Sequence, residues 1–163
     1  MTDNIIKFPE IKISKISRKS LAASSQFLYD NWHNFYKNHL PGENITTKTY
    51  DHFFDYLDKN KANTFIAIRH KKIIGLVSIF QNCIDELWVD ENYRCQKIGK
   101  KLVDNALERI VEKKYLSAQV GCEDFNQDAI KFFKKLGWYM IDSETIALNN
   151  QESFSVIVLG YKL

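Results

Sequence analysis

Residues 84–102 read IDELWVDENYRCQKIGKKL, an apolar strand pattern, a short polar turn, a basic loop and a helix start in immediate succession. A chain that passes from strand to helix through so short a loop must pack that helix beside the sheet it leaves, which points to an α/β arrangement. The strand pattern ends near Val89, residues 90–93 turn, and after Arg94 the backbone N–H groups of Cys95, Gln96, Lys97, Ile98, Gly99 and Lys100 can face one concavity. Helix N-terminal donors lack intrahelical partners and sit at the positive end of the helix dipole, so anions collect there. Arg94, Lys97, Lys100 and Lys101 add positive charge, and a diphosphate suits the loop; a solvated basic helix start is the other reading of the same charges.

Beyond the loop, Ile98, Leu102, Val103, Ala106, Leu107, Ile110 and Val111 recur every three to four residues, opposite Asp104, Asn105, Glu108 and Arg109, so one helical face is buried. The same reading predicts a short strand at 11–14, a helix at 17–35 and a loop around 41–46. A second helix follows at 49–59, with Tyr50, Phe53, Phe54 and Leu57 on one side and Thr47 or Thr49 as its cap. Residues 64–69 and 73–80 form a hairpin about His70, Lys71 and Lys72, and a strand at 83–89 continues the sheet. A strand at 116–122, a helix capped by Asn126 and closed by Gly137, and strands at 139–148 and 154–161 complete the chain. The expectation is one domain over 1–163.

Composition narrows the function. In 163 residues, 45% hydrophobic content is enough for a proper core, and a net charge of +3 is too small to argue for nucleic-acid binding. Cys83, Cys95 and Cys122 show no metal-ligand spacing with the histidines, so no metal is expected, and reduced thiols suit a cytoplasmic protein. No apolar run approaches a membrane span, and the first residues do not read as a secretion signal.

Two segments together resemble the GCN5-related N-acetyltransferases. The family's loop motif, Gln or Arg, two residues, Gly, one residue, Gly or Ala, falls on Arg94, Lys97 and Gly99, preceded by Leu87 and Val89; the later motif falls on Asn126, Ala129, Phe133, Gly137 and Trp138. The resemblance implies a mixed, mostly antiparallel sheet of six or seven strands flanked by about four helices, splayed between the strands 83–89 and 116–122 where acyl-CoA enters. It also implies acetyl-CoA as cosubstrate and an amine-bearing acceptor. Leu87, Trp88 and Val89 would hold the pantetheine through their backbone, residues 94–100 the diphosphate, and Asn126 and Phe133 would belong to the cofactor site. Dimerisation through the C-terminal strands is common in the family.

For the chemistry, a carboxylate is needed to take a proton from an alkylammonium, and Glu86 and Asp85 are the nearest. Period-two alternation puts them on opposite faces of their strand, so one is expected to face the acceptor. The chain departs from the family at three places. Phe133 stands where many relatives carry an acidic Tyr, leaving Tyr139, Tyr36 or water to act instead. Lys97 and Cys95 stand where Gly is usual, which predicts a reshaped cofactor loop. These departures motivate the alternative of a noncatalytic acyl-CoA-binding domain.

Overall fold

The alternating and β-branched runs pair into one sheet, and the amphipathic segments cover its two faces. The computed structural model describes residues 10–163. Its elements run β1 (Lys12–Lys15), α1 (Arg18–Tyr36), α2 (Gly42–Thr46), α3 (Tyr50–Lys59), β2 (Thr64–Arg69), β3 (Lys72–Phe80), β4 (Cys83–Val89), α4 (Ile98–Glu112), β5 (Ser117–Glu123), α5 (Gln127–Lys135), β6 (Tyr139–Ala147) and β7 (Ser153–Lys162). Helix α2 replaces the expected loop at 41–46, so the described residues hold five α-helices where about four were expected. Its cause is local: the Pro41 carbonyl accepts from Asn44 and Ile45 N–H at 3.0 and 3.3 Å, closing one helical turn.

The sheet order is β1-β2-β3-β4-β5-β7-β6, and β4 with β5 is its parallel pair. Helices α4 and α5 cover one face, where Ile98, Leu102, Ala106, Ile110, Ile130 and Phe133 pack against Ile74, Val77, Ile84 and Val120. Helices α1 and α3 cover the other, with Leu21, Leu28, Trp32, Phe53 and Leu57 over Ile66 and Leu76. Burying each such side chain stabilises the fold by about 1.5–3 kcal/mol. Local signals set the element starts. The Ser17 N–H donates to Ser20 Oγ at 2.9 Å, and Thr49 Oγ1 accepts from His52 N–H at 3.2 Å. His70 and Lys71 both take positive φ, 49° and 63°, the mirror-image turn that matches strand twist in a two-residue hairpin. Gly75 lets α4 lie close on β3, since a Cβ there would meet Leu102 Cδ1 at 2.8 Å.

Candidate active site

Strands β4 and β5 pair only at Cys83 with Gln119 and Ile84 with Val120, and then diverge. Beyond that point their facing backbone groups have no ladder partner. The Asp90 N–H donates to the Ile74 carbonyl on β3 at 3.0 Å, so by alternation the N–H groups of Leu87 and Val89 point away from β3, into the gap. Across it, the Asp124 N–H donates to Ser155 on the β7 side, which turns Gly121 and Glu123 toward the gap. A cavity of about 890 Å³ occupies this opening and runs to the start of α4.

At that end the loop is built from unusual backbone. Asp90 Oδ1 accepts from Asn92 N–H at 2.9 Å to start a tight turn at Glu91–Tyr93. Cys95 and Lys97 then take φ of 59° and 63°, and the latter directly precedes α4. The loop thus keeps a left-handed path without the glycines that adopt it freely, at roughly 1–2 kcal/mol for each side chain. The first helical bond of α4 is Lys101 N–H to the Lys97 carbonyl, 3.0 Å, which leaves Ile98, Gly99 and Lys100 N–H without intrahelical partners. Gly99 permits the close approach of α5, since a Cβ there would lie 3.1 Å from Phe132 Cζ.

Arg94, Cys95, Lys97, Ile98, Gly99 and Lys100 all line the cavity, as do Leu87, Trp88 and Val89. Gln96 does not; its Oε1 accepts from Arg69 Nη1 at 2.6 Å. Lys100 pairs with Asp104, whereas Arg94 and Lys97 form no ion pair among the described residues.

The opposite end, under α1 and α3, is acidic. The expectation that Asp85 and Glu86 face opposite ways fails because β4 carries an extra residue there: Ser78 of β3 pairs with Glu86 and Ile79 with Ile84, leaving Asp85 unopposed. A bulge of this kind breaks strict alternation and turns both carboxylates to the α1–α3 side. Tyr56 of α3 donates to Asp85, and Trp88 Nε1 donates to Glu86 Oε2 at 2.5 Å. Burial pushes the Glu86 carboxyl up to about 7, with Asp85 and Glu123 raising it further and the Trp88 hydrogen bond opposing. Glu123 of β5 joins this group and accepts from Tyr36 of α1. Burial and that carboxylate hold the Tyr36 hydroxyl far above its ordinary value.

Asn126 and Phe133 line the cavity too. Asn126 Oδ1 caps α5 by accepting from Ala129 N–H at 3.2 Å, and Phe133 is buried edge-on against Trp138. Tyr139 lies exposed on β6, away from the cavity lining, so of the two candidate tyrosines only Tyr36 reaches it. Cys122 also lines the cavity, but burial, then Glu123, push its thiol up to about 12. Phe35, His39 and Phe125 stack across the acidic end, Phe125 and His39 at 4.9 Å, joining α1 to the segment after β5.

Sequence reasoning did not single out Tyr56 or Arg69. The missing signal is long-range: each acts through a partner at least 27 positions away.

The motifs, the splay and this loop carry an assignment that comparison with known proteins decides. A model described as the acetyltransferase (GNAT) family matches residues 26–138. The chain belongs to that family. The fold of this GNAT protein is shared by the GCN5-related N-acetyltransferase from Rhodopseudomonas palustris, at 19% identity and TM-score 0.73, over 95% of this chain and 96% of that one. PaiA N-acetyltransferase from Thermoplasma acidophilum, solved in complex with coenzyme A, matches at 18% identity over 94% and 99%, TM-score 0.73. YncA from Salmonella typhimurium, solved with its cofactor acetyl-CoA, matches at 11% identity over 94% of each chain, TM-score 0.74.

Proposed function

We propose that this GNAT protein moves an acetyl group from acetyl-CoA to a primary amine of a small molecule or protein, by direct transfer in a ternary complex. The carrying observation is the acidic end of the cavity. Asp85, Glu86 and Glu123 form no ion pair among the described residues, and the hydrogen bonds they accept there come from the neutral donors Tyr56, Trp88 and Tyr36. A cationic amine supplies the missing charge.

The residues at the other end fit coenzyme A. The free N–H groups before and within the first turn of α4, with Arg94 and Lys97, would hold the diphosphate, and the inward N–H groups of Leu87 and Val89 the pantetheine arm with its thioester. Bound acetyl-CoA supplies an acetyl group already activated as a thioester. The chain does the rest. Glu86 takes a proton from the ammonium, whose pKa of about 10.4 leaves little free amine at neutral pH. Asp85 beside it adds a second carboxyl group on the side the cation would enter. Of the two inward N–H groups, Leu87 lies nearer Glu86 and donates to the carbonyl oxygen as negative charge develops there, leaving Val89 to the arm. Phe133 has no proton to give, and Tyr36 holds its proton on Glu123, so the amine displaces coenzyme A as its thiolate, which takes its proton from water.

The test is thiol release from acetyl-CoA with a panel of mono- and diamines and lysine peptides. Amine-dependent release by the wild type, lost in Glu86→Gln, is the expected result; no amine-dependent release across the panel contradicts it.

A further inference from the structure

The diphosphate loop holds two non-glycine residues in left-handed backbone, Cys95 and Lys97, and the residue between them is gripped from outside. Arg69, the last residue of β2, is 8% exposed, donates from Nη1 to Gln96 Oε1 at 2.6 Å, and lies over the Tyr93 ring at 5.7 Å. Its guanidinium has no carboxylate partner among the described residues, and its Nε is buried without a hydrogen bond. Burying a cation this way is unfavourable unless its fixed contacts serve another need. Lys72, opposite Arg69 in the hairpin, also reaches the loop, pairing with Asp90 at 2.9 Å and covering the same Tyr93 ring at 5.0 Å. The β2–β3 hairpin therefore grips the loop at Asp90, Tyr93 and Gln96.

We propose that Arg69 is a positioning residue: through Gln96 and Tyr93 it holds Cys95 and Lys97 in the path that glycine would adopt freely, and so presents the N–H groups that receive the diphosphate. The proposal rests on the reading of this loop as the coenzyme A site. Arg69 is absent from the cavity lining, so it acts without touching the ligand. Its uncompensated charge adds to the loop's attraction for anions.

The test is calorimetric titration of the whole chain with coenzyme A, for the wild type, Arg69→Met, Gln96→Ala and the double variant Arg69→Met with Cys95→Gly. Each single variant should raise the Kd about tenfold, the scale of a small displacement of positioned groups. The double variant should recover much of that loss, because glycine accepts the left-handed conformation without help. In turnover the effect should fall on the KM for acetyl-CoA and spare kcat. Gln96→Ala breaks the grip from the loop side, so the experiment stands even where Arg69→Met folds poorly. Tight binding by both single variants would overturn the proposal, as would weakening in Arg69→Met that Cys95→Gly does not relieve. Wild-type protein that binds no coenzyme A would overturn the diphosphate reading itself, and the positioning role with it.

Discussion

Glu86 serves two opposed ends in the proposed reaction, since the burial that would match it as a base to neutral pH also makes its ionised form unfavourable in the folded chain. With its carboxyl pushed up to about 7, kcat/KM should rise with pH along a limb centred near that value. Glu86→Gln should remove that limb and lower kcat/KM about 10²- to 10³-fold, read from steady-state rates. The stability effect has the opposite sign. The folded state binds the Glu86 proton more tightly than the unfolded chain, whose carboxyl has the ordinary value of 4.5, so stability declines as pH rises from there to about 7. Thermal melts should therefore show Glu86→Gln more stable than the wild type at pH 8, with the gain fading toward pH 4. Tyr36 offers a contrasting case. Because its proton is committed to Glu123, Tyr36→Phe should leave the basic limb of the rate profile unshifted and raise the KM for the amine. The residue types at this site were legible in the sequence; their shared direction was not, because a bulge at Asp85 leaves no mark in a period-two pattern.

The elements themselves were read largely as they stand. Residues 64–69 and 83–89 form strands with the expected ends, and the helices around Leu28, Phe53 and Ile98 follow their apolar spacing. Periodicity reports burial, and burial is what fixes those segments. It says nothing of the dihedrals of exposed residues such as Cys95 and Lys97, so only the Gly-rich motif they interrupt hinted at their backbone. Relieving one of them should show directly in stability: Cys95→Gly removes about 1 kcal/mol of left-handed strain, less what glycine adds to unfolded-chain entropy, for a net gain of a few tenths in chemical denaturation. Gly75→Ala should act in the other direction. The added methyl meets Leu102 Cδ1 at 2.8 Å and the Trp88 carbonyl at 3.2 Å, so α4 must shift on β3, destabilising by about 1–3 kcal/mol.

At the scale of the whole molecule, the sheet opens between the parallel strands β4 and β5 and so lets a cavity reach both of its faces. The loop with Arg94 and Lys97 lies on the α4–α5 side, and Asp85, Glu86 and Glu123 on the α1–α3 side, so in the proposed ternary complex cofactor and acceptor would meet through the gap. In that complex neither would have to leave before the other enters. The one cysteine buried there has its thiol pushed up to about 12 and is poorly suited to carry an acetyl group. Initial rates with both substrates varied should therefore give intersecting double-reciprocal lines; parallel lines would point to an acetylated enzyme. The measurement that tests the account most directly is calorimetric titration with acetyl-CoA of the wild type and Arg94→Ala, each at low and raised salt. The account predicts saturable binding that weakens in Arg94→Ala and with salt, as a diphosphate on a cationic helix start requires. Absence of binding at millimolar acetyl-CoA, or binding indifferent to both changes, would contradict it.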